Sequence, residues 1–227
     1  MSPVTRKQKQ ERTRAKLMRS AGKLFCRHGL EQASVDEIAT DAGYTKGAFY
    51  SNFKSKEELF LAMLDQKFAE EIERIETGLR TDETPDEAAR HAGEDLMRFM
   101  RSDPEWERLY LEFVAYAGRN DQFRQELLTR CRAMEERLGE VYLRWSQEIG
   151  IEPPIPIEDI TRMTSIMTQG FLMNQQIDPE LREEVYGTLV AAFMLGLREM
   201  WREQDPEAVR RAGERFEAMG REAGRAE

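Results

Sequence analysis

Along the chain, apolar residues return every third or fourth position rather than every second, so the pattern predicts helices and no strands. Leu17, Ala21, Leu24, Phe25 and His28 share one face of a first helix over about 6–28, with Gly29 available as a left-handed terminator. Ser34 stands three residues before Glu37, a capping box that opens a second helix carrying Val35, Ile38, Ala39 and Ala42 inward and stopping at Gly43. Thr45 is the N-cap of a short third helix that begins at Lys46. Ser55 and Glu58 form another capping box. The fourth helix follows it through Leu59, Phe60, Met63, Leu64, Phe68, Ile72 and Ile75 to Leu79, roughly 36 Å at about 1.5 Å per residue.

Beyond it, a cap followed by proline recurs: Thr84-Pro85 with Glu87, Asp103-Pro104, Asp178-Pro179 and Asp205-Pro206 each predict a helix start. The resulting helices cover about 85–101, 104–119, 121–149, 158–176, 179–202 and 206–222, with one clear loop at Glu152 to Pro156.

Charge divides this helical chain in two. Residues 1–56 carry 12 Lys or Arg against 5 Asp or Glu, a net of +7, whereas the rest carries −16. The net charge of −9 therefore conceals a basic head on an acidic body. The field that a polyanion meets is local, because screening acts over roughly 8–10 Å at physiological salt. Within the head, two short helices joined at Gly43 form a helix-turn-helix, a geometry that projects the start of the second into a major groove about 12 Å wide. Gly47 and Ala48 are small enough for close backbone approach, Lys46 supplies a donor, and Phe49 and Phe53 anchor the helix.

The segment from Ser34 to Leu59, SVDEIATDAGYTKGAFYSNFKSKEEL, resembles the DNA-binding signature of TetR (AcrR-type) transcriptional regulators, and the likeness extends over about residues 10–60. The resemblance implies a homodimer that binds a palindromic operator in double-stranded DNA through the third helix, with a helical C-terminal domain for a small-molecule inducer. By position it implies that Tyr44, Thr45, Lys46 and Gly47 face bases, that Tyr50, Asn52, Lys54 and Lys56 face phosphates, and that Ser34 touches a phosphate from the second helix.

Two apolar sets occupy the body. Met97, Met100, Trp106, Tyr110, Phe113, Met134, Leu138, Tyr142, Met167 and Phe171 form a Met- and aromatic-rich stock, ordinarily core, that the resemblance turns into a candidate pocket for an apolar or aromatic inducer. Tyr110 and Tyr142 are its polar handles. Met163, Gly170, Leu189, Phe193, Gly196, Leu197 and Met200 repeat at helical spacing with small residues between them, the expectation for a four-helix dimer seam.

The expected architecture is all-α: residues 1–56 form a three-helix helix-turn-helix DNA-binding domain, and residues 57–227 a larger helical ligand-binding and dimerisation domain. The expected function is a ligand-responsive DNA-binding regulator, a repressor released from its operator by a small, largely apolar inducer. Alternatives are a redox response through Cys26 and a non-specific DNA-binding protein. With two histidines, two cysteines and no phosphate-loop, nucleophile or metal motif, neither enzymatic activity nor a cofactor or metal is expected. No run of about 18 apolar residues occurs and charge, not hydrophobicity, follows Arg6, Lys7 and Lys9, so no membrane association and a cytoplasmic location are expected.

Overall fold

The computed structural model describes residues 5–79, 83–204 and 207. Among the described residues there are helices and no strand: α1 (Arg6–Gln32), α2 (Val35–Asp41), α3 (Lys46–Tyr50), α4 (Lys56–Gly78), α5 (Pro85–Arg101), α6 (Pro104–Ala117), α7 (Asp121–Ile149), α8 (Ile157–Ile177) and α9 (Glu183–Gln204). The helix expected over 206–222 lies, apart from residue 207, outside the described residues. None of the helices is long and apolar enough to cross a membrane.

Local chemistry accounts for most helix starts. Thr5 and Gln8 open α1 with a capping box, Ser34 and Glu37 open α2 with another, and the Asp103 carboxylate accepts from the Trp106 amide at the start of α6. Gly29 takes the expected positive φ of +74°, but it kinks α1 rather than ending it, and one more turn runs on to Gln32. The start expected at Asp178-Pro179 is corrected. Asp178 is already the C-cap of α8, with its amide donating to the Asn174 carbonyl, and its carboxylate accepts from the Glu180 amide in a turn. Helix α9 begins only at Glu183.

The chain forms two compact units. Of the described residues, one comprises those up to Phe68 with 103–130, the other those within 69–102 and from 131 onward. In the first, α1, α2 and α3 close on Leu17, Ala21, Phe25, Ile38 and Phe49, all at most 1% exposed. The Ser20 hydroxyl donates to the Ile38 carbonyl at 3.0 Å within that core. An aromatic cluster adjoins it, in which Phe113 of α6 meets Phe25 edge-on and stacks on Phe60, with Phe123 against both Phe60 and Phe113.

In the second unit α5 and α9 run antiparallel, pinned at both ends: Asp86 pairs with Arg198 at 2.8 Å and Arg101 with Glu183 at 3.0 Å. Between these pairs the backbones approach closely. A Cβ on Gly93 would lie 3.3 Å from the Tyr186 ring, and one on Gly187 would meet the Glu94 side chain and stand 3.1 Å from the Arg90 carbonyl. The Tyr186 ring is buried, and its hydroxyl is satisfied by Thr168 at 2.6 Å.

Candidate nucleic-acid interface

The recognition geometry is set by caps. Thr45 Oγ1 accepts from the Ala48 amide and fixes the start of α3, while Phe49 and Phe53 anchor that helix from beneath at 0% and 1% exposure. Arg14 of α1 secures the far side. Its guanidinium lies over the Phe53 ring at 4.1 Å and donates to the Asn52 carbonyl. Arg14 was not legible as part of the site, since nothing local in sequence links it to residues 38 and 39 positions away.

With α3 held in this way, Thr45, Lys46, Gly47 and Tyr50 are outward on one exposed helix, and Tyr50 is 52% exposed with its ring edge against Phe49. Tyr44 is half-buried, its hydroxyl accepting from Thr13 and its ring beneath Lys16. Ser34 remains at the start of α2, where the Glu37 carboxylate accepts from both its amide and its hydroxyl. Those two bonds, the amide first, hold the Glu37 carboxyl below its ordinary range. Lys46 reaches across to α2, its ammonium 2.8 Å from Asp36, and that hydrogen bond raises the pKa of the lysine.

Gly47 has a distinctive environment. A Cβ there would find only the Thr45 hydroxyl, at 3.7 Å, which is ordinary contact. Packing within the chain does not require glycine at this position.

Two residues expected on the phosphate side are engaged inward. Lys56, the first residue of α4, donates to the carbonyls of Leu30, Glu31 and Ala33 at 2.6, 3.1 and 2.7 Å. Its three N–H groups match three carbonyls left open where α1 ends, so it is a cap delivered from a distant helix. The Asn52 amide group likewise donates to the Ala48 carbonyl in the last turn of α3, and its Oδ1 is buried. Lys54 stays exposed, its backbone amide donating to the Glu58 carboxylate.

The apolar sets of the body separate. Trp106 and Phe113 belong to the first unit and fill its aromatic cluster, Trp106 stacking on Phe60, with Tyr110 on the same helix. Met97, Met100, Met134, Leu138, Tyr142, Met167 and Phe171 belong to the second unit, where Met97, Met100, Leu138 and Phe171 are buried. Burial raises the pKa of the Tyr142 phenol. A groove of about 340 Å³ in the same unit contains none of these residues: Thr77, Gly78, Glu83, His91, Glu94, Asp95 and Arg98 line it, with His91 Nδ1 2.8 Å from Glu83.

On α8 and α9 the outward face is apolar. Met163, Ile166, Met173 and Ile177 on α8, and Val185, Leu189 and Met200 on α9, are 41–77% exposed. Gly170 and Gly196 stand among them with nothing within 4 Å of a built Cβ. Of the expected seam residues, Leu197 is buried in its own unit at 6% exposure and Phe193 is half-buried. Ile166, Met173, Ile177 and Val185 complete the two stripes at the same three- and four-residue spacing, a signal already present in the sequence.

Both cysteine thiols are free and held above their ordinary range. Burial first, then Glu105 and Asp103, push the Cys26 thiol upward, and burial lifts Cys131 to about 11. The Cys26 thiol lies 3.3 Å from the Glu105 carbonyl.

Comparison with known proteins bears on the whole arrangement. Residues 17–63 match the family of bacterial regulatory proteins described as the tetR family. The chain thus carries the N-terminal domain of that family. The uncharacterized HTH-type transcriptional regulator YfiR of Bacillus subtilis is 22% identical over 202 residues, spanning 85% of this chain and 94% of that protein. The HTH-type transcriptional repressor AcnR of Corynebacterium efficiens is 25% identical over 164 residues, 70% of this chain and 80% of AcnR. Among solved structures, the transcriptional regulator FadR of Bacillus subtilis, in complex with stearoyl-CoA, superposes with a TM-score of 0.65 at 18% identity, covering 79% of this chain and 96% of FadR. Along most of its length the chain is similar to TetR-type transcriptional regulators, with an N-terminal helix-turn-helix and a larger C-terminal helical domain. The relatives it matches are transcriptional regulators rather than enzymes.

Proposed function

We propose that the protein is a ligand-responsive repressor that binds a palindromic operator as a homodimer and is released by a small, largely apolar inducer. The observation that carries the DNA-binding half is the surface of α3: a helix fixed by its cap and by Phe49, with Lys46, Gly47 and Tyr50 turned outward. A glycine inside a helix is less favourable than alanine by about 1 kcal/mol, and no neighbour within the chain requires this one. Close approach of a base edge to the α3 backbone supplies the reason. The direct readers are Tyr44, Thr45, Lys46 and Gly47, and Tyr50, Lys54 and Ser34 contact phosphate. Lys56 and Asn52 act behind them by holding the helix ends.

The apolar stripes of α8 and α9 support a dimer. Exposed apolar side chains gathered on adjoining helices mark a protein contact, and two-fold pairing of a helix-turn-helix matches half-sites about 34–36 Å apart. Met97, Met100, Leu138, Tyr142, Met167 and Phe171 are the proposed ligand-contacting residues, apolar with a phenol to orient the ligand. The stearoyl-CoA bound by FadR supports an acyl chain as the class to try first, and the repressor AcnR supports the sign of regulation.

The test is selection of bound duplexes from a random pool by the purified protein near physiological salt, followed by release of the recovered operator with acyl-CoA esters of graded length. An inverted repeat and chain-length-dependent release are expected. Recovery of no common sequence by protein shown to be ligand-free by denaturing extraction would overturn the proposal.

A further inference from the structure

The ion pair between α2 and α3 is out of keeping with the surface on which it lies. A face that meets a polyanion gains from cations and loses from carboxylates, yet Asp36 stands beside Lys46 at 2.8 Å, with the two side chains 64% and 54% exposed. Stability does not account for it, because exposed pairs of this kind contribute little. Nor does capping: the box at the start of α2 uses Ser34 and Glu37, and the carboxylate of Asp36 takes no part in it. What the pair does fix is direction. Lys46 is the first residue of α3 on a four-carbon flexible stem, and with one N–H committed to Asp36 the ammonium is tethered beside α2 with two donors left for an acceptor outside the chain.

We propose that Asp36 is a specificity-determining positioning residue: it holds the Lys46 ammonium on the base edge of a single guanine, as donor to O6 and N7, and keeps it off the neighbouring phosphates. Lysine is a poor reader when it can swing, since any phosphate oxygen accepts its charge without regard to sequence. A carboxylate beside it disfavours the phosphate and offsets some affinity in exchange for selectivity. This inference rests on operator recognition through α3 as proposed above.

The experiment compares the wild-type protein with Asp36→Asn, Asp36→Glu and Lys46→Ala in selection from random duplexes and in binding titrations against salt. In the wild type one position of each half-site is expected to be guanine. Asp36→Asn is expected to relax that position about tenfold or more, the discrimination carried by a positioned base contact. It should also strengthen binding to unrelated DNA and steepen the salt dependence by about one unit as Lys46 turns to a phosphate. Asp36→Glu restores part of the guanine preference, and Lys46→Ala abolishes the same preference without steepening the salt slope. Thermal melting of each variant separates loss of fold from loss of reading. An Asp36→Asn protein that melts like the wild type and keeps its base preference at every position overturns the inference while leaving operator recognition intact. Equal weakening of that variant on all sequences overturns it as well. Failure of the wild type to select any sequence instead removes the reading on which the inference rests.

Discussion

The seam between α5 and α9 and the outward faces of α3, α8 and α9 use the same residue for opposite ends. At the seam, Gly93 and Gly187 are small because another part of the same chain is in the way: the Tyr186 ring, the Glu94 side chain and the Arg90 carbonyl. On the outward faces, Gly47, Gly170 and Gly196 are small with no such neighbour. A helical glycine that its own fold does not need points to something outside the chain. The two sets differ in the same way in their surroundings, buried side chains and end-to-end ion pairs for the seam, exposed cations or exposed apolar stripes for the faces.

The contrast can be broken most severely at the apolar stripes. Ile166→Glu combined with Leu189→Glu puts two carboxylates on a face that the proposal covers with a second copy. Sedimentation should then report a monomer, with operator affinity down by about 100-fold or more as the two heads lose their linkage. An unchanged sedimentation coefficient would place dimerisation elsewhere. Next in size is Gly187→Ala at the seam, where forcing a methyl group toward the Arg90 carbonyl should cost about 1–3 kcal/mol in chemical denaturation. The matching change on α3, Gly47→Ala, should do the reverse. It stabilises the protein by about 0.5–1 kcal/mol while operator binding falls. A Gly47→Ala protein that binds its operator as tightly as the wild type would show that the glycine has no external reason.

Smaller effects sharpen the head alone. Lys54→Ala should lower affinity on all duplexes alike and reduce the salt slope by about one unit, whereas Lys56→Ala should appear first in melting temperature. The Ser34 and Glu37 box gives the mildest signal. Because the Glu37 carboxyl lies below its ordinary value of 4.5, its contribution is full above that value and is lost as pH falls through the lowered one. Glu37→Gln should therefore flatten the acid limb of stability below about pH 4.5 in a wild-type comparison.

Features that depend on neighbouring residues were legible in the sequence. Ser34 with Glu37, Thr84 with Glu87 and Asp103 before Pro104 each satisfy a helix start within three residues, and each predicted start is a real one. The face of α3 was equally readable, since Thr45, Lys46, Gly47 and Tyr50 are consecutive or one turn apart. Asp178-Pro179 misled because the same residue was already closing the preceding helix. Lys56 and Asn52 misled for a different reason. A motif shows that a polar residue is present, but not whether its donors are taken by carbonyls four positions back or, for Lys56, 23–26 positions back. Trp106 and Phe113 have the composition of a pocket, and only the fold shows their rings occupied by one another's neighbours Phe60, Phe25 and Phe123.

The Lys56 tie has a consequence for how such chains diverge. One ammonium nitrogen donates to three carbonyls at once, a convergent geometry that the planar guanidinium of arginine, with its donors spread over three nitrogens, does not reproduce. If the proposed operator contacts hold, a descendant that abandoned them would be free to drift at Lys54 and Tyr50, whereas the tie at position 56 would still favour lysine. Within this one signature, some letters record a partner and others only the architecture that carries them.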